Sequence, residues 1–183
     1  MNHKRWVILS ALLFGFSLVM GLTTPSFSQV LLAEDVVALE DLSGLLSTLP
    51  QSSIMTIILV KNLFALLVSF VLSPFLLLVP LIALVLNGWL LGFISAGVLQ
   101  ERSFGFLVFA ILPHGFFEIP ALIIGEAVAF SFGTAVILSL FSHQRRAQLL
   151  PSLRKNLKYL AVALILLIPA AVIETYLTPL LLK

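Results

Sequence analysis

The sequence predicts an all-α fold, a polytopic bundle of transmembrane helices with five spans plus one broken or half helix. Three observations predict it. Of 183 residues, 61% are hydrophobic and only 10 basic and 8 acidic side chains are present, with a mean hydropathy of +1.19. A soluble domain runs near half apolar and about a quarter charged, so this chain has too little polar surface to wrap a water-facing core. The apolar residues gather into five long runs, and most of the charges fall between them. The length suits a single domain over 1–183, with no soluble domain left over once the spans are subtracted. There is no cysteine, which excludes disulfides, zinc–cysteine sites, iron–sulfur clusters and thiol catalysis. A formal net charge of +2 gives no reason to expect nucleic acid, and no cofactor motif is present.

The runs are, in order, Trp6–Leu22, Ile54–Leu72, Phe75–Leu99, Phe104–Phe141 and Leu157–Leu177. A crossing needs about 20 apolar residues. The fourth run is too long for one straight crossing, since at 1.5 Å rise per residue it would measure about 57 Å against a hydrocarbon core of about 30 Å. The first follows His3, Lys4 and Arg5, and Ser26, Phe27 and Ser28 form a small-x-small site beyond it. It therefore reads either as a retained span, the favoured reading, or as a cleaved signal peptide.

Basic residues set the expected orientation. One cluster precedes the first run, and the largest, Arg145, Arg146, Arg154, Lys155 and Lys158, follows the fourth. Both are expected in the cytoplasm. The loop 23–53 carries Glu34, Asp35, Glu40 and Asp41 without any Lys or Arg, and is expected outside the cell membrane, as is the C-terminus. Within it Leu32, Val36, Leu39, Leu42 and Leu46 recur at helical spacing, which predicts an amphipathic helix over Ala33–Ser47 lying on the outer surface of the bundle.

The stretch Ile111–Glu126 holds a histidine, two prolines and two carboxylates inside an apolar run. Proline costs about 3 kcal/mol in a helix interior but little in a first turn. Pro120 thus predicts a helix start near Glu118. Pro113, His114 and Gly115 predict a break between that span and a short helix over Phe104–Leu112, with an ordinary proline kink as the alternative, while Pro80 and Pro169 read as ordinary kinks. At such a helix start a carboxylate is well tolerated by the unpaired N–H groups and the dipole.

An ionisable residue inside a span is a functional candidate because its cost must be offset by a partner. The set is Lys61, His114, Glu118, Glu126 and Glu174, with amides at Asn62 and Asn87, most of it expected in the outer half of the bilayer. Three roles compete. The first is a buried structural network, with Lys61 paired to a carboxylate, His114 bonded to Glu118 and Asn87 capping freed backbone. The second is a substrate or proton path through His114 and the acids. The third is a metal site at His114 and Glu118, which share i,i+4 spacing but lack the second histidine of H-E-x-x-H. No G-x-S-x-G and no cysteine nucleophile is present, so no enzyme is expected. Gly88 with Gly92, and Gly125, Ala129 and Gly133, are small-xxx-small series that allow close helix approach.

These residues resemble the stage II sporulation protein M family of integral membrane proteins over most of the chain. The resemblance rests on Asn62, on Asn87-Gly88 with Gly92, on Pro113-His114-Gly115 with Glu118 and Pro120-Ala121, and on Ala171 with Glu174 followed by Thr178-Pro179. Glu126 and Lys61 stand outside that pattern. The resemblance implies a membrane scaffold that recruits peptidoglycan-degrading partner enzymes and is not itself a hydrolase. Membrane or cell-wall proteins are thus the expected partners, with the lipid bilayer around the chain. The other function to weigh is a transporter or permease-like subunit using an outer-side His/Glu pocket at a broken helix. Five spans without an inverted repeat argue against such a subunit acting alone, and a homo-oligomer would supply the missing symmetry.

Overall fold

The computed structural model describes residues 3–24 and 49–181, apart from the side chains of residues 101, 110 and 112–114. The amphipathic helix expected over Ala33–Ser47 lies outside the described residues. The described chain is helical throughout, without strands: α1 (His3–Leu22), α2 (Gln51–Leu72), α3 (Leu78–Glu101), α4 (Phe104–Leu140), a short α5 (His143–Arg146), α6 (Leu149–Val172), a π-helical turn (Ile173–Leu177) and α7 (Thr178–Leu181). Among these residues five stretches are long and apolar enough to cross a membrane: His3–Leu22, Gln51–Leu72, Leu78–Gln100, Gly115–Leu140 and Leu149–Leu181. The protein is a multi-pass membrane protein of all-α class, as its composition requires.

α4 is the axis of the bundle. It packs against α1, α2, α3 and α6, and residues 125–131 are buried without interruption. In lipid an apolar helix can face acyl chains or protein alike, and here the buried small residues Gly125, Ala127, Ala129, Ser131 and Gly133 let its neighbours close in. Two layers flank it. On one side Leu66 and Phe70 of α2 meet Ala121 and Val128 of α4 and Leu160, Ala163 and Leu167 of α6. On the other, Phe14 of α1 and Leu84 of α3 meet Phe130, and Trp6 stacks on the same ring at 5.8 Å between centroids.

Small residues set how close the helices come. A Cβ on Gly88 would strike the backbone of Phe14, one on Gly92 the backbone of Leu18, and one on Gly21 the backbone of Trp89. α1 and α3 therefore lie backbone against backbone, the arrangement that small-xxx-small spacing permits in lipid, where packing drives helix association. Trp89 closes the end of this seam by donating from Nε1 to Thr24 Oγ1 at 3.1 Å. The turn after α2 is equally tight. Leu76 and Leu77 both have positive φ, at 52° and 60°, a conformation that costs roughly 1–2 kcal/mol per non-glycine residue. Gly133 of α4 admits the Ser73 carbonyl at this turn.

The break expected at Pro113–Gly115 is not present. Backbone is helical from Phe104 to Leu140, 37 residues, through both Pro113 and Pro120. The helix begins instead at Ser103, whose hydroxyl accepts from the Phe106 N–H at 3.3 Å. Each proline removes one i→i−4 bond, to Phe109 and Phe116 respectively, and a transmembrane helix accommodates such a loss through local adjustment and its neighbours. The excess length is real: at 1.5 Å per residue α4 extends about 55 Å, beyond the roughly 30 Å hydrocarbon core.

The irregular backbone lies in the last helix. Pro169 sits inside α6 and is followed by the π-helical turn Ile173–Leu177. Pro179 has no N–H to give the Thr175 carbonyl, while the Thr178 N–H reaches back five residues to Ile173 O. Two proline defects ten positions apart thus bracket a widened turn, and Glu174 is in it.

Candidate intramembrane polar site

α2 and α4 run parallel, and their register builds the site. Asn62 Nδ2 donates to Glu118 Oε1 at 3.2 Å. One turn along, Leu66 fills the space left by Gly125. A further turn on, Ser69 Oγ donates to Glu126 Oε2. The pairs 62–118 and 69–126 differ in offset by one residue, so one face of α2 tracks one face of α4 for two turns. Each carboxylate thereby meets the partner that a low-dielectric setting demands. Glu126 is 1% exposed and Ser69 equally buried. Ser69 escaped the sequence reading, although it stands seven residues, two helical turns, after Asn62 and so shares its face.

Beside the first pair lies a cavity of about 250 Å³ whose walls include Asn87 of α3, Gly115 and Glu118 of α4 and Glu174 of the π-helical turn, with Phe14 of α1. Asn87 satisfies its own amide by donating to Ala83 O at 2.7 Å. The wall positions on α4 are Ile111, Gly115, Glu118, Ile119 and Leu122, a single helical face. Thr175 Oγ1 donates to Ala171 O at 2.8 Å and Thr178 Oγ1 to Ile173 O at 3.3 Å. These hydroxyls supply backbone partners around the turn that carries Glu174.

Three of the residues singled out from the sequence, Asn87, Glu118 and Glu174, therefore line one cavity, and Asn62 joins it through its bond to Glu118. Glu126 forms a separate pair about two turns deeper along α4. Lys61 is not brought to either carboxylate. It is exposed on α2 and borders a shallow apolar groove with Thr56, Ile57, Val60 and Phe64. The reason is helical: Asn62 faces α4, and its neighbour in sequence lies 100° around the axis, where a long stem snorkels along the apolar surface. The helical backbone places positions 114 and 118 one turn apart, but the His114 side chain lies outside the described residues, as does that of Pro113.

Arranged this way, the site has two chemical capacities. The Asn62–Glu118 and Ser69–Glu126 pairs fasten α2 to α4. The cavity presents carboxylates from two different helices to one volume large enough for several waters or a small ligand.

A profile of the stage II sporulation protein M family matches residues 7–179. An uncharacterized protein of Methanocaldococcus jannaschii is 31% identical over 99 residues, 54% of this chain and 56% of that protein. The chain thus spans little more than half the length of that curated relative. No solved structure matches. Because the profile runs from α1 to Pro179 and takes in every residue around the cavity, the chain belongs to the stage II sporulation protein M family.

Proposed function

We propose that the protein is a membrane scaffold or assembly subunit that holds partner proteins through its spans and its 23–53 loop. The observation that carries this reading is the pairing of intramembrane carboxylates with α2. Glu118 and Glu126 are each held by a side chain from the parallel helix, so the polar residues there act as cross-links within a rigid body. Family membership agrees, with membrane or cell-wall proteins as the partners by resemblance. The orientation belongs to the same proposal. Seven of the ten basic side chains, Lys4, Arg5, Arg145, Arg146, Arg154, Lys155 and Lys158, fall at the end of the bundle formed by the start of α1, α5 and the start of α6. By the positive-inside rule this basic end faces the cytoplasm, which puts the 23–53 loop and the C-terminus outside.

A second reading rests on the cavity. Glu118, Glu174 and Asn87 around one volume, next to a π-helical turn, suit a transporter-like subunit, since irregular turns of this kind occur frequently at functional sites. One experiment separates the two. Glu118→Gln and His114→Ala variants of the tagged protein are expressed in native membranes, and abundance, partner co-purification and phenotype are measured together. A scaffold predicts that phenotype falls only as abundance or partner recovery falls. Full abundance with full partner recovery and a lost phenotype would overturn it in favour of transport or chemistry at the cavity.

A further inference from the structure

A second cavity, of about 270 Å³, lies at the basic end, remote from the carboxylates. Its walls include His3 of α1, Ser131 of α4, Arg145 of α5, Gln148, and Ser152 and Lys155 of α6. Its polar groups are chiefly donors. Ser131 is fully buried, yet its Oγ has no hydrogen-bond partner, and both ring nitrogens of His3 are likewise buried and unpartnered. Ser152 Oγ accepts from Asn156 Nδ2 at 3.3 Å, which leaves its own proton to give. The cavity also meets the start of α6, a 24-residue helix whose N-cap, Gln148, makes no side-chain cap bond. A helix start of this kind favours anions through its N–H groups and dipole.

The charges agree. Arg145 and Lys155 stand at the cavity, and no Asp or Glu occurs in 3–22 or 127–172, the stretches that contain its wall residues. Arg146 is engaged elsewhere, donating from Nε to Ser139 O at 3.1 Å at the end of α4. Among the described residues no group of His, Cys, Asp or Glu that could hold a metal ion is found. Water alone would satisfy the hydroxyls without engaging the two cations that border the same cavity. Buried polar groups without partners are rare and call for an occupant.

We infer that this cavity binds a phosphate group. Arg145 and Lys155 supply charge-assisted hydrogen bonds, Ser131 and Ser152 donate to the remaining oxygens, and the start of α6 adds its dipole. Two sources carry that chemistry: the phosphodiester of an anionic phospholipid, which a basic pocket between transmembrane helices suits, and a soluble phosphate. Trp6 and Tyr159 near the same end sit where aromatic side chains mark the headgroup level, and His3 packs on Tyr159 at 4.6 Å between ring centroids.

The test uses the full-length protein purified in neutral detergent. Native mass spectrometry counts bound phosphatidylglycerol and, separately, phosphatidylcholine, and inorganic phosphate is titrated against each complex. Phosphatidylglycerol is expected to bind at least about ten-fold tighter than phosphatidylcholine, or inorganic phosphate to bind alone at millimolar concentration and displace lipid. The first assigns the site to lipid, the second to a soluble phosphate. Arg145→Gln with Lys155→Gln should lower binding by about ten-fold or more, while Arg154→Gln with Lys158→Gln, the same charge removed outside the cavity, should change it less than about two-fold. Ser131→Ala, which alters no charge, should weaken binding about three-fold or more, and it decides the matter if the first pair does not fold. Equal losses from both charge pairs, no loss from Ser131→Ala, or no preference for any anionic phosphate over phosphatidylcholine would overturn the inference.

Discussion

At the residue scale, the two carboxylate pairs are alike in geometry and unlike in setting. Glu126 and Ser69 are both buried, so removing the hydroxyl takes from the carboxyl group its partner on α2. Ser69→Ala is expected to destabilise the protein by roughly 1–3 kcal/mol, read from thermal unfolding in detergent. Glu126→Gln, which keeps an oxygen for Ser69, should cost less than about 1 kcal/mol. The Asn62–Glu118 bond, at 3.2 Å and only partly buried, should show a coupling of about 0.6 kcal/mol, the usual value for side-chain bonds between transmembrane helices. A cycle of Asn62→Ala, Glu118→Ala and the double variant measures it. The carboxylates themselves were legible from sequence, because an acid in an apolar run stands out. Ser69 was not, since a serine in lipid satisfies itself by bonding back one turn, as Ser17 does to Leu13 O at 2.9 Å. Only the shared face with Asn62 marked it. Lys61 misled for the converse reason: its charge drew attention, while one residue of helical phase turned it outward.

At the element scale, glycine positions divide sharply by what surrounds them. A side chain at Gly92 would drive into the α1 backbone, so Gly92→Leu should cost at least about 1–3 kcal/mol, the usual range for overpacking, and separate α1 from α3. Gly15 has open space at its Cβ, so Gly15→Ala should be neutral or stabilise by about 0.5–1 kcal/mol. Thermal unfolding of the two variants side by side checks the contrast. The helices themselves were readable from apolar run length: the one capped by Ser103 begins at Phe104, where the run begins, whereas the last long helix begins at Leu149, ahead of the run that starts at Leu157, because its first turns carry Arg154, Lys155 and Asn156. The proline reading went astray in α4 because proline weakens a helix by one bond without dictating where the chain gives way. α4 stays helical through both prolines and packs against four other helices, whereas the last helix widens into a π-helical turn before Pro179. Restoring the N–H with Pro179→Ala should let the π-helical turn tighten to α-helix and rotate Glu174 by up to a residue's worth of phase, about 100°. In a chain without native cysteine, Asn87→Cys with Glu174→Cys gives a clean probe. A short bifunctional maleimide should join them in the Pro179 background and join them less after Pro179→Ala.

At the scale of the whole molecule, the contacts fix relative direction, and the proposed absolute direction rests on the charges. α1 and α3 are parallel, since Phe14 meets Gly88 and Leu18 meets Gly92. α2 and α4 are parallel by the Asn62–Glu118 and Ser69–Glu126 pairs. α6 runs against α4, with Leu167 and Ala163 near Ala121 and Leu160 near Val128. Such a set is what alternate crossings of one membrane require, and it brings His3 and Lys155 to one cavity although they are far apart in sequence. That both basic clusters would share an end was legible from their spacing; that they would enclose a donor-lined cavity was not, because it depends on how α1 meets α6. The sided prediction follows. With no cysteine in the chain, His143→Cys at the basic end and Ser52→Cys at the start of α2 give one reporter for each side. A membrane-impermeant maleimide applied to intact cells should label Ser52→Cys and reach His143→Cys only after permeabilisation. Labelling in the opposite order would invert the proposed orientation, turn the acidic loop toward the cytoplasm, and remove the ground for placing cell-wall partners at that loop. The parallel and antiparallel contacts, which come from packing rather than from charge, would stand unchanged.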